Sequence, residues 1–253
     1  METDILFFKS WIITAFVFYL ISILTYFLGQ KRMGKMFIVA GLVANIVALI
    51  GRGYIEGTWY PNLMVAELFI LPAVMALIVV FLFGRGRIAE GRVALIPFAV
   101  CCVITILIPV EAPLPWVKYQ TISAALFFFT EALSFALLLV AGILAFACLV
   151  SNPSVEESYS RMILWGFVAF TLCQISGAIW AYLGWSYPFS WSTRHLASAS
   201  LWCLYAAFIH AHFTGVHPRL KAACAAFGII PFVYMMYHHQ IISLLKLISE
   251  RST

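Results

Sequence analysis

The sequence predicts an all-α polytopic membrane bundle of about eight transmembrane helices, and three observations carry that expectation. Of 253 residues, 64% are hydrophobic and only 10% are charged, with a mean hydropathy of +1.02; no soluble globular domain has that composition. Apolar runs of about twenty residues, enough at the helical rise to span a hydrocarbon core about 30 Å thick, recur along the chain. The breaks between them carry charge, Gly or Pro, and none is a low-complexity linker. Residues 1–253 therefore read as one integral membrane domain.

The first run is centred on Phe16. Glu2 and Asp4 precede it, without a basic leader or a small-residue cleavage site, so it reads as a retained helix and not a signal peptide. Lys9 is near its end and can snorkel to the interface. The following runs are centred on Val43, Ala73, Cys101, Leu137, Thr171, Leu204 and Pro231. Their breaks fall at 30–35, 52–61, 84–92, 110–118, 151–161, 184–194 and 215–221.

Basic residues set the expected orientation. Lys31, Arg32 and Lys35 follow the first run, Arg85, Arg87 and Arg92 the third, Arg161 the fifth, and Arg219 with Lys221 the seventh. The alternate breaks carry Arg52, Lys118 and Arg194. Positive-inside then places both termini on the outer side, although Lys246 and Arg251 count weakly against it. The net charge of +5 is accounted for by such loops and gives no reason to expect nucleic-acid binding. Lipid is the expected surrounding. The six cysteines, Cys101, Cys102, Cys148, Cys173, Cys203 and Cys224, all sit in apolar runs without a CxxC pair, and read as small core residues.

One break is unlike the others. Trp180, Trp185, Trp191 and Trp202, with Tyr182, Tyr187 and Phe189, concentrate aromatic rings between two apolar runs. Tryptophan favours the membrane interface, where a flat ring meets headgroups or a flat ligand. The segment 180–195 is expected to form an aromatic outer loop. It begins Ser176-Gly177-x-x-Trp180-Ala181, continues Trp185-Ser186-x-x-Phe189-x-Trp191-Ser192, then Thr193-Arg194-His195, and runs on to Trp202, Tyr205 and His210. In this order and spacing it resembles the tryptophan-rich WWD signature of the cytochrome c assembly family. Phe189 stands for a family Trp, Ser192 for the signature Asp, and His195 for an acidic residue. A second patch, Arg52 to Gly57 with Pro61, Asn62 and Glu67, is similar to another outer loop of that family.

The resemblance implies haem handling at the outer face. It places the family's membrane-embedded haem-ligand histidine at His210, about 24 Å along its helix from Arg194. His212 points to another face. The family's two outer axial ligands fall on Phe127 and Leu244, neither of which coordinates iron. A replacement outer site would use His195 with His238 or His239, the eighth run carrying these two about 30 Å from Arg219. The plain alternative is an interfacial belt of those histidines with Tyr234 and Tyr237. His217, before Pro218 in a basic loop, reads as solvated.

Two acids fall within apolar runs. Glu67 is near the outer end of the third, and Glu131 about 20 Å inside the fifth. An intramembrane carboxylate is costly, which suggests a proton relay or a quinone-site acceptor; the alternative is a protonated Glu bonded to a neighbouring helix, with Gln174 as one partner. Three functions follow as expectations. The first is haem delivery in cytochrome c maturation. The second is electron transfer through haem b or a quinone in a respiratory or multihaem complex. The third is a cofactor-free anchor. In each, a second membrane or cytochrome subunit completes the protein, which reads as a haem-handling or electron-transfer subunit more than a stand-alone enzyme.

Overall fold

A computed structural model describes residues 2–55, 63–107, 121–150, 156–231 and 233–234. Eight helices occupy them: α1 (Glu2–Phe27), α2 (Lys31–Ile55), α3 (Leu63–Gly84), α4 (Ile88–Leu107), α5 (Ile122–Val150), α6 (Glu156–Trp185), α7 (Thr193–Phe213) and α8 (Pro218–Phe227). The described residues contain no strand. Five segments, Ser10–Phe27, Lys31–Gly51, Ile88–Thr105, Ile122–Val150 and Ser158–Trp185, are long and apolar enough to cross a membrane, and Ile70–Gly84 is a shorter apolar helix. The chain is an all-α integral membrane protein. His238, His239 and Leu244 lie outside the described residues.

Two hairpins open the bundle, and their turns repeat one design. Gly29, at φ 79°, ends α1, and Gly86, at φ 74°, follows the end of α3. The N–H of Gly29 donates to Tyr26 O at 3.1 Å and that of Gln30 to Thr25 O at 2.9 Å. In the second turn Gly86 N–H donates to Phe83 O at 3.2 Å and Arg87 N–H to Leu82 O at 3.0 Å. This paired pattern needs a left-handed residue at its centre, which glycine supplies without a Cβ clash. Tyr26 then lies on Gly34 of its own hairpin and Phe83 on Gly91 of its own, so that a Cβ at either glycine would come within 2.8 Å or 2.9 Å of the ring. The two rings stack on each other at 4.2 Å with planes 5° apart. The first four helices are thus joined through a glycine–ring–ring–glycine sandwich. Ser22 adds a buried bond within the first hairpin, donating to Gly34 O at 2.8 Å.

Helix α5 is the centre of the molecule and packs against α3, α4, α6 and α8. Its approach to α8 runs over Gly142, where an added Cβ would meet Ile229, and its approach to α6 brings Leu138 against Gly166. Without a hydrophobic drive between helices in lipid, such close contact through small residues is the main source of packing energy. Several other hydroxyls along the spans bond within their own helices: Thr14 donates to Ser10 O, Thr105 to Cys101 O and Ser176 to Leu172 O, at 2.8, 2.8 and 2.9 Å. Such bonds remove the cost of a lone polar group in hydrocarbon.

Cys101, Cys102 and Cys173 are buried and Cys148 is half-buried, but Cys203 and Cys224 are exposed. The expectation of six core cysteines therefore fails for these two, and Cys203 opens onto a cavity instead of packing in the core. Glu131 is 3% exposed within α5, and Glu67 belongs to α3.

Candidate functional site

The chain ends α6 abruptly. Trp185 is its last helical residue, and Ser186 takes φ 64°, a left-handed conformation uncommon for a residue with a Cβ. Its N–H donates to Tyr182 O at 2.8 Å. Pro188 lacks an N–H and prevents the helix from resuming. Ser192 then caps α7, its backbone extended at φ −71° and ψ 152° and its hydroxyl accepting from the N–H of His195. Serine at this position satisfies a donor that the helix leaves open. The residue that stands where the resemblance expects Asp thus keeps one task an Asp would also perform, since both side chains cap well.

Between this loop, the start of α5, the second half of α6 and the first half of α7 lies a cavity of about 720 Å³. Its lining includes Phe127, Gln174, Trp180, Trp185, Phe189, His195 and Trp202. Size and apolar aromatic lining fall in the range of sites for medium-sized organic ligands, about 300–1,000 Å³. One wall is a ring cluster: Trp180 sits 5.5 Å from each of Phe127, Phe128 and Trp185. The facing wall holds Phe189, edge-on to His195 at 5.4 Å and to Trp191 at 5.6 Å. Below them Trp202 donates its indole N–H to Thr171 Oγ1 at 3.0 Å, tying α7 to α6. Thr171 also donates to Phe167 O at 2.9 Å, so the indole is held by a hydroxyl already oriented.

His195 is the imidazole on this wall. Its Nδ1 lies 2.8 Å from both Ser190 Oγ and Ser192 Oγ. Two serines on one nitrogen restrict the ring's rotation, as outer partners do for an oriented imidazole.

The sequence-predicted residues do not all converge. Trp180, Trp185 and His195 share the cavity, whereas Trp191 is 84% exposed and projects from the loop instead of joining a packed shelf. Arg194 is the second residue of α7. His210 is exposed farther along α7, its Nδ1 2.7 Å from Ala206 O. It shares a helix face with Cys203, seven positions before, and is about 22 Å from His195 by helical rise. Glu131 lines neither this cavity nor the one between α3 and α6. Gln174, proposed above as its partner, lines the present cavity. His217 does more than face solvent: it caps α8, its Nδ1 accepting from Arg219 N–H at 3.3 Å, and Pro218 occupies the first helical position. Among the described residues no group of three or more His, Cys, Asp or Glu forms a metal cluster. Phe127, Ser190 and Ser192 are members of the site whose roles depend on contacts the linear sequence does not display.

The family described as Cytochrome C assembly protein matches residues 41–243. Among curated proteins, the chain is similar to "Cytochrome c biogenesis protein CcsA" of Thermosynechococcus vestitus, with 37% identity over 79 residues, 30% of this chain and 24% of that protein. The protein of the same name from Prochlorococcus marinus (strain MIT 9303) is 38% identical over 74 residues, 29% of this chain and 23% of the other. That of Synechococcus sp. (strain CC9902) is 32% identical over 81 residues, 32% and 27% of the two chains. The matched stretch therefore spans about a quarter of the length of these relatives, 24% in the first.

Proposed function

Because the chain belongs to the cytochrome c assembly protein family, we propose that the cavity beneath the tryptophan loop is a haem site, with His195 as its ligand to iron. The observation that supports this reading is the placement of one oriented imidazole on the wall of an apolar, aromatic-lined space of about 720 Å³. A flat macrocycle suits such walls, and haem iron takes an imidazole nitrogen. The residues fit haem with one protein ligand. Phe127 lines the same cavity, and a phenyl ring offers no lone pair. A second ligand would come from another membrane or cytochrome subunit, or from His238 or His239, which lie outside the described residues.

Haem b, when bound, supplies an iron centre for transfer to an apocytochrome or for electron transfer. The chain's own residues would bind and orient it: Ser190 and Ser192 hold the His195 ring, and Trp180 and Trp185 form the wall; Arg194 is the second residue of α7, next to His195 in the chain. In this reading the outer face carries the loop and both termini, and lipid surrounds the bundle. Haem handling for cytochrome c assembly is preferred to a quinone role, because Glu131 lies on neither cavity. It is preferred to a cofactor-free anchor because an anchor needs no lined cavity. His210 contributes a second, embedded site if a partner subunit supplies the facing ligand.

A dithionite-reduced spectrum and a pyridine haemochrome of the purified protein test this. His195→Ala should lose most of the haem absorbance while His210→Ala retains it. Full haem content in His195→Ala would refute the cavity site, and loss confined to His210→Ala would move the haem to the embedded position.

A further inference from the structure

A second cavity, about 930 Å³, opens between α3 and α6 and is floored by α5. It is a groove with two unlike ends. One end is lined by Arg85, Arg87 and Arg161, and the other by apolar residues as far as Val74 on α3 and Leu172 on α6. From Arg85 to Val74 the helical rise gives about 16 Å, and from Arg161 to Leu172 about the same. That is close to the thickness of one leaflet, half of a core about 30 Å thick. The basic end is built from fixed groups. Arg85 lies over the Phe81 ring, its Cζ 4.6 Å from the centroid. Arg87 donates to Ser158 Oγ at 3.1 Å, and Ser158 donates to Glu90 Oε1 at 3.0 Å. Three arginines thus line this end of the groove, and Ser158 links one of them to Glu90. Trp165, one turn from Arg161, lines the groove and is 64% exposed, the position of an interfacial aromatic.

We propose that this groove is a binding site for one anionic phospholipid, with the headgroup phosphate on Arg85, Arg87 and Arg161 and one acyl chain laid along α3, α5 and α6. Charge complementarity selects the occupant. Guanidinium groups bind phosphate oxygens in a two-pronged geometry, and basic pockets between membrane helices take acidic headgroups. A zwitterionic lipid brings its own cation to the same arginines and is disfavoured. The length of the apolar channel selects a membrane lipid over a soluble phosphate compound.

The test is native mass spectrometry of the full-length protein after exchange into nanodiscs of mixed phosphatidylglycerol and phosphatidylcholine. One phosphatidylglycerol per chain should be retained, with a preference of about tenfold or more over phosphatidylcholine. Arg85→Gln with Arg161→Gln should bring that preference close to one, and Arg85→Lys with Arg161→Lys should keep part of it. Arg32→Gln, at the same end of the bundle but outside the groove, should change nothing. Leu77→Trp, which fills the apolar channel, should lower retention of both lipids while thermal unfolding shows the protein still folded. Equal retention of the two lipids by the unaltered protein, or unchanged selectivity in the Arg→Gln pair, would overturn the proposal. So would displacement of the lipid by millimolar inorganic phosphate, which would show that the site holds an anion without a chain.

Discussion

Phe127 rests against Gly177, so closely that a Cβ on the glycine would stand 2.7 Å from Cδ2 of the ring. This contact joins the start of α5 to the signature helix and sets one wall of the cavity. Gly177→Val should push the ring into the cavity and destabilise the α5–α6 contact by about 1–3 kcal/mol, the usual cost of overpacking. The check is the midpoint of thermal unfolding in detergent, with Phe127→Leu as partner mutation. The double variant should lose less stability than the two singles summed, with a coupling above about 0.5 kcal/mol. Simple additivity would show that the two residues do not bear on each other.

The same ring bears on haem affinity. Phe127 and His195 line one cavity from different helices, and only one of them is an imidazole. Phe127→His adds a second nitrogen ligand in the position where the family resemblance expects one. Haem carried through purification should rise several-fold and show the absorbance of two axial imidazoles. No gain in haem would mean that the two side chains cannot share one iron.

Much of this was legible in the sequence, for physical reasons that differ by level. Composition alone forces helices, because a backbone in hydrocarbon must satisfy its own hydrogen bonds. The aromatic segment pointed to the loop that borders the cavity, because tryptophan favours an interface or a flat ligand. The repeated hairpin turn was not legible. Its signal is an aromatic residue, a left-handed glycine and a second glycine, sparse positions in a background already rich in Phe and Gly. The folded turns, with their matching bonds and the stacking of Tyr26 on Phe83, reveal that the two correspond. Equally hidden was the hold of Ser190 on His195, five residues away across a bent loop. The exposure of Trp191 escaped as well, since it follows from how the loop bends and not from which residues compose it.

Ser192 caps α7 and contacts His195 Nδ1, so its loss should act locally. Ser192→Ala should weaken the first turn of α7 by about 1 kcal/mol. Amide exchange there should accelerate by about fivefold, with the rest of the bundle unchanged. Ser192→Asp, also a good cap, should restore protection. Equal protection in all three proteins would remove the capping role.

The glycine–ring sandwich makes a prediction by symmetry. Gly34→Val and Gly91→Val each drive a Cβ into the ring beside it, Tyr26 or Phe83, and through that ring disturb the 4.2 Å stack. Both should lower the thermal midpoint, each by the equivalent of about 1–3 kcal/mol. Combined, they should cost less than the sum, because either one already displaces the shared stack. Strict additivity, or a harmless substitution at either site, would show that the stack does not couple the hairpins.

The last prediction concerns sidedness. The turn at Gln30 and the loop at Ser186 fall at opposite ends of the bundle, because the intervening helices alternate in direction, and both residues are exposed. Positive-inside assigns the end with Lys31, Arg32, Arg85, Arg87 and Arg161 to the cytoplasm. In a background with Cys203 and Cys224 replaced by Ser, since both are exposed, Ser186→Cys should react with an impermeant thiol reagent in intact cells. Gln30→Cys should react only after the membrane is breached. The reverse pattern would place the cavity on the cytoplasmic face. Haem would then reach it without crossing the bilayer, and presentation to an apocytochrome outside would be ruled out. The arginine-lined groove would lie in the outer leaflet, where its preference for an acidic lipid would persist, since the match is between charges and does not depend on the side.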